Sequence, residues 1–275
     1  MSKLFFILPI LFLFIACEKV VNSGNFPIYS KYPTQLNTEW EYNTIMLFEY
    51  YDSTGNIDSS SVMDLGHTIC KITNINDSIG NFSKLILFEE YDVATPTNIH
   101  KTWYVNADSG LYSIAYSNPG SSQIVIPKQH LKSFEYFIQT VKSIGVAPAF
   151  YFGLSNSNQV SDSIQFYTYP RKVLVYPLKI GSRWIELIEP FYRERIVRTT
   201  EIINCNGKDY NTYKIESEGD FKVIFNDYIN LTDGLIKREI LIDSVAIISP
   251  ISPDPQGYYK FGSISNLVRV LKPER

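Results

Sequence analysis

An imperfect internal duplication runs through this sequence. Tyr32-Pro33-Thr34-Gln35-Leu36-Asn37-Thr38-Glu39-Trp40 is matched by Tyr176-Pro177-Leu178-Lys179-Ile180-Gly181-Ser182-Arg183-Trp184, with Tyr-Pro, an aliphatic residue and Trp in one register. A second match lies further along each half: Tyr104-Val105-Asn106-Ala107-Asp108-Ser109-Gly110-Leu111-Tyr112 against Tyr228-Ile229-Asn230-Leu231-Thr232-Asp233-Gly234-Leu235-Ile236. A pattern used twice is a supersecondary module used twice, so its signature residues read as scaffold before they read as chemistry.

Each module reads as β. After Trp40, the residues Tyr42, Thr44, Met46, Phe48 and Tyr50 fall on one face of an extended strand, and Glu39, Glu41, Asn43 and Glu49 on the other. That is a period of two. Asp52-Ser53-Thr54-Gly55-Asn56 predicts a hairpin loop, and strands follow over 59–65, 68–74, 82–91, 101–106 and 111–116. In the second half, strands over 193–203 and 210–218 flank Asn206-Gly207, a two-residue hairpin signal because both positions tolerate positive φ. Strands over 221–231 and 235–247 flank Thr232-Asp233-Gly234. The proline-rich residues 249–255 are expected to lie outside the strands, with a last strand over 258–271. Twenty tyrosines and 17 phenylalanines set among Ile, Val and Thr favour the same class.

One segment departs from that rhythm. Leu131, Phe134, Ile138 and Val141 recur at helical spacing between Pro127 and Gly145, which predicts one amphipathic helix lying on a sheet. The expected fold is mainly β, with two related antiparallel meander modules, each a curved sheet or half-barrel, and the helix between them. The modules are placed at 32–120 and 176–275, with 121–175 as helical insert and connection.

Residues 1–17 are read as a lipoprotein signal peptide. Lys3 precedes an apolar run over 4–15 that Pro9 interrupts and that is too short to span a bilayer, which takes about 20 apolar residues. Phe14-Ile15-Ala16-Cys17 resembles a lipobox, with Phe14 where leucine is commoner. Cys17 is therefore the expected acylation site and mature N-terminus. Several acyl chains anchor a protein durably where one does so marginally. Residues 18–31 read as a tether. Glu18 fails the inner-membrane retention rule of some Gram-negative bacteria, which points to the outer membrane, with the leaflet open. The formal net charge of −3 gives no reason to expect nucleic acid as a partner.

Chemistry is thinly marked. His67, His100 and His130 have no second ligand at metal spacing, so no metal or cofactor is expected. Asp52, Thr54, Asn56 and Asp58 match a calcium loop loosely and lack the closing Glu. Glu39 and Glu41 share a strand face and read as surface charges more readily than as an acid and base pair. Cys70 and Cys205 can form a disulfide in an oxidising compartment or remain thiols. Trp40 and Trp184, with Phe134 from the helix, are the candidate ligand-binding residues, because aromatics on a curved sheet can line an apolar groove; anchoring the core is the competing role of the tryptophans.

The Tyr-Pro-aliphatic-Trp openings, the turn before Gly110-Leu111 and the closing Gly234-Leu235-Ile236-Lys237 resemble the Y-P-L-x-x-G-x-x-W and G-L-I/V-K motifs of bacterial envelope lipoproteins common in Bacteroidota. The first opening departs from that pattern, with Asn37 at the glycine position, as does Gly110-Leu111-Tyr112. The resemblance implies a curved antiparallel sheet and no established activity. Such sheets are similar to the half-barrels of lipoprotein carriers, whose concave face holds acyl chains. The expectation is a non-enzymatic, lipid-anchored binding or structural module, for a hydrophobic small molecule or an envelope protein. The alternative is a hydrolase of envelope polymer or lipid.

Overall fold

A computed structural model describes residues 31–97, 99–117, 164–188, 192–219, 223–249 and 252–273. Cys17, Phe134, His130 and the whole of the expected 127–145 helix lie outside the described residues. The described residues form twelve strands: β1 (Glu39–Asp52), β2 (Ile57–Ile79), β3 (Phe82–Asp92), β4 (His100–Ala107), β5 (Gly110–Ser117), β6 (Ile164–Val175), β7 (Arg183–Leu187), β8 (Arg193–Cys205), β9 (Lys208–Gly219), β10 (Val223–Asn230), β11 (Gly234–Ser249) and β12 (Ser252–Leu271). They make one antiparallel sheet in the order β6-β5-β4-β3-β2-β1-β12-β11-β10-β9-β8-β7. Each half is thus a six-stranded meander, and the first strand of the chain pairs with the last, from Glu39↔Leu271 to Asp52↔Gly257.

The duplication is visible in the backbone. Asn37 has φ of 64° and Gly181, its counterpart, 85°. Asparagine is among the few residues other than glycine that enter this region readily, which explains how the first opening manages without its glycine. The hydrogen bonds around the two sites correspond one for one. Thr38 N donates to Gln35 O (3.1 Å) as Ser182 N does to Lys179 O (2.9 Å). Asn37 N donates to Ile72 O (2.9 Å) as Gly181 N does to Val197 O (2.8 Å).

Each Tyr-Pro opening docks where a fifth strand begins. The Tyr32 hydroxyl accepts from Leu235 N (3.2 Å) at the start of β11, and Tyr176 N donates to Ser109 O (3.3 Å) before β5. Tyr32 N closes the exchange by donating to the Tyr176 hydroxyl (2.9 Å). A Cβ on Gly234 would lie 2.8 Å from Trp40 Nε1 and 3.0 Å from the Tyr32 hydroxyl, so glycine is required for this close approach.

The sheet curls until both halves share one core. Trp40, Tyr42, Ile72, Phe88, Tyr104 and Leu111 of the first meander pack in the same buried cluster as Trp184, Val197, Tyr213, Ile215, Ile229 and Leu235 of the second. The expected alternation of β1 is present, with Trp40, Tyr42, Thr44 and Met46 all buried and Ile45 exposed. Asn206 and Gly207 turn the β8–β9 hairpin with φ of 51° and 78°. A smaller core of Leu85, Leu87, Trp103, Ile114 and Ala115 lies on the outer face, and the end of the β2–β3 hairpin covers it with Ile79 and a hydrogen bond from Trp103 Nε1 to Asp77 Oδ2 (2.7 Å).

Two expectations are corrected. Residues 164–175, assigned to the connection, are the sixth strand of the first meander. Their pattern is hidden because the register jumps from Ser113↔Arg171 to Ala115↔Phe166, so residues 167–170, with Pro170, bulge out and break the period of two. The proline-rich segment also enters a strand: β12 starts at Ser252 and Pro255 pairs with Ile248. Pairing with β1 begins only at Gly257, so these prolines sit on a free side where no ladder donor is needed.

Candidate functional site

The tryptophans are committed to packing. Trp40 has no exposed surface, stacks on Phe88 with ring centroids 5.9 Å apart, and donates from Nε1 to Asp233 O (2.6 Å). Trp184 is 5% exposed and donates from Nε1 to Lys172 O (3.0 Å). Each Trp therefore fills the shared core and ties it to a distant backbone. The structure brings both to one core cluster, though neither is presented to a ligand.

The unusual chemistry stands beside them. Glu186, two residues beyond Trp184 on β7, points inward and is almost fully buried. Its Oε1 accepts from Arg171 Nε (3.0 Å) and Nη2 (2.5 Å), its Oε2 accepts from Arg193 Nε (2.7 Å), and Arg195 Nη1 stands 3.7 Å away. On β10, Asp227 accepts from Arg195 Nη2 (2.8 Å) and from Arg238 Nε (2.6 Å). The Phe225 ring is the floor of the cluster: the guanidinium carbon of Arg195 lies 3.8 Å from its centroid, and those of Arg238 and Arg193 at 5.1 and 5.2 Å. Cations over an aromatic face are stabilised by its quadrupole, the more so away from water.

Burial alone would raise the Glu186 pKa, but the charges of Arg171, Arg193 and Arg195 outweigh it and hold the carboxyl down at about 2. Burial lowers Arg193 to about 10, with Glu186 opposing and Arg171 and Arg195 adding repulsion. Arg193 still carries its charge at neutral pH. Arg171 is shifted up, its burial outweighed chiefly by the charge of Glu186.

Sequence reasoning did not single out this cluster, because its charges come from five separate strands. Parity was the available signal. Glu186 shares its strand face with Trp184, Arg195 with Val197, and Asp227 with Ile229, all buried apolar residues.

The remaining candidates have structural roles. Glu41 accepts from Arg269 Nε and stands 2.5 Å from His67 Nδ1, and Glu39 lies 3.8 Å from Lys71. The Glu41 carboxyl is held below its ordinary range, first by the His67 hydrogen bond. The Asp52 carboxylate caps its own turn, accepting from Thr54 N (2.8 Å) and Asn56 N (3.0 Å). Cys70 and Cys205 are both buried free thiols, so the disulfide is not made. His100 is buried and neutral, pushed down to about 3 by burial. Among the described residues, no three His, Cys, Asp or Glu side chains are gathered to hold a metal ion.

No protein-family model and no curated protein matches the chain. Among solved structures it is similar to a Bacteroides fragilis protein described as exported and as having a YmcC-like fold, at 11% identity and a TM-score of 0.37, over 89% of this chain and 100% of that one.

Proposed function

We propose that this chain is a non-enzymatic envelope lipoprotein, anchored to the outer membrane by acyl chains on Cys17 and using its curled sheet as a binding or structural module. The observation that carries the reading is where the chain enters the fold. Tyr32 is locked between the two meanders, and Lys31 Nζ bonds Asp108 Oδ1 (2.6 Å) in the β4–β5 turn. The tether therefore leaves from the end of the sheet that holds the turns before Gly110 and Gly234. Residues 18–31 reach at most about 50 Å when extended. The attachment point is therefore at that end, opposite the far tips of β1, β2, β11 and β12.

The burial of Trp40 and Trp184 supports a scaffold role for the repeated motif, so any binding belongs to other residues. Cys17→Ser in the native host tests the anchor by cell fractionation and incorporation of labelled palmitate. The variant is expected to lose the label and move to the soluble fraction with its tryptophan emission unchanged. A variant that remains membrane-bound overturns the reading.

A further inference from the structure

Among the described residues, the interior cluster holds more positive charge than its carboxylates balance. Arg171, Arg193, Arg195 and Arg238 face Glu186 and Asp227. Even with Glu90 counted as a third carboxylate, since its charge and that of Arg171 both act on Tyr104, the described residues of the cluster carry one more positive charge than negative. Donors and a hydroxyl are left over as well. Arg171 Nη1 and Arg195 Nε have no hydrogen-bond partner, although these side chains are 1% and 2% exposed. Ser113 Oγ, on the residue paired with Arg171 across β5 and β6, is also buried without a partner. A charged donor stripped of water and left unpaired costs well over a kcal/mol, and a fold retains such an arrangement when something else supplies the acceptor. An excess of cationic donors and a hydroxyl together match the chemistry of an oxyanion.

We propose that the interior at the β6–β7 boundary binds an oxyanion, a phosphate or carboxylate group, through Ser113, Arg171 and Arg195. The geometry also indicates the route. Among the described residues no backbone ladder joins β6 to β7, and these edges meet through side chains, Arg171 to Glu186 and Trp184 to Lys172. The orphan atoms are closed to solvent, so the anion enters by parting this seam, which among the described strands is the boundary that opens without breaking strand pairing.

This inference rests on the binding reading above and fails separately from it, because the anchor is judged by fractionation and the anion by melting. The probes are inorganic phosphate and acetate, titrated against the full mature lipoprotein in detergent at fixed ionic strength with chloride as the balancing ion, and melting is followed by tryptophan fluorescence. One probe is expected to raise the melting temperature saturably, by about 5–10 °C at a hundred times its dissociation constant. Which probe does so tells a phosphate source from a carboxylate one. Ser113→Ala, and separately Arg195→Lys, which keeps the charge but removes the Nε donor, are expected to raise the half-saturating concentration about ten- to a hundredfold. Ser113→Ala removes a single atom with no bond to lose, so a folding defect does not obscure that result. No saturable rise with either probe, or a rise unchanged in both variants, overturns the proposal and leaves the cluster as a clasp on the seam.

Discussion

Glu186→Gln measures what the interior charges contribute. Glutamine keeps the shape, but removes the charge shared by Arg171, Arg193 and Arg195 and turns an amide NH2 toward a guanidinium. Removing one member of a buried ion pair costs about 3–5 kcal/mol, because the partner charges stay buried without compensation. The pKa leads to the same size by another route. A carboxyl held at about 2 against an ordinary 4.5 stabilises the fold by roughly 3 kcal/mol at neutral pH. Equilibrium unfolding in guanidinium at pH 7 should show a lower midpoint with unchanged slope, and melting should fall by about 6–20 °C. The sign of the pH effect follows from a depressed carboxyl: its contribution is complete above about 4.5 and is lost as pH falls toward 2. The curves of wild type and variant should therefore converge over that window. Arg198→Gln, which breaks exposed bridges to Glu216 and Glu218, is the control and should leave the midpoint nearly unchanged. A cost below about 1 kcal/mol for Glu186→Gln at pH 7, or a gap that persists undiminished to pH 3, would refute the assignment.

Burial holds His100 neutral at about 3, whereas an unfolded histidine takes its proton near 6.5, so stability should fall with pH from 6.5 downward, by about 3 kcal/mol at pH 4.5. His100→Gln should flatten the stability profile across that interval, as read by denaturant midpoints at each pH; an unchanged slope would place the titrating group elsewhere. Gly234→Ala should destabilise by about 2–4 kcal/mol, since its methyl would meet Trp40 Nε1 and the Tyr32 hydroxyl at a φ of 94°. Retention of wild-type melting would show that the two meanders dock less tightly there than the distances indicate. Asn37→Gly should be neutral or slightly stabilising and Asn37→Val costly by about 1–2 kcal/mol, because only the latter resists a φ of 64°; equal melting of both variants counts against the strained turn.

The local rules of β-structure made much of this fold legible. Trp40 to Met46 alternate as the sequence predicts, Asn206-Gly207 turns where positive φ is tolerated, and the matched openings place β1 and β7 at equivalent points, one residue before each tryptophan. Turn length and a bulge hid the rest. The second match aligns at its glycines but not at its tyrosines: Tyr104 packs in the core, whereas Tyr228 lies on the other face against Lys237 and Glu239. Turn length is the cause: two residues separate the Ala107↔Gly110 pair and three separate the Asn230↔Gly234 pair, and one added residue exchanges the two faces of a strand. The four-residue excursion before Arg171 concealed β6 in the same way. The charged cluster escaped for a different reason: hydropathy assigns Arg and Glu to water, and only curling of the sheet onto itself reveals which charges were trapped.

The duplication explains why the cluster lies where it does. Two copies of a six-stranded meander arranged head to tail create two equivalent boundaries, β1 with β12 and β7 with β6. The first is sealed along the whole of β1, from Glu39 to Asp52, by backbone pairing. The second has no such ladder among the described residues, and β7 is only five residues long. At the sealed boundary, the position two residues past the tryptophan is Tyr42, whose hydroxyl donates to Leu235 O (2.8 Å). At the unsealed one it is Glu186, which receives three arginines from both sides of the gap. Ion pairs thus stand where hydrogen-bonded strands would otherwise be, and the two kinds of closure differ physically. A ladder opens only by breaking many neighbouring bonds together. A side-chain clasp opens when one carboxylate is neutralised or when another anion competes for the same guanidiniums, so the two equivalent boundaries differ both in backbone pairing and in the residue two past each tryptophan.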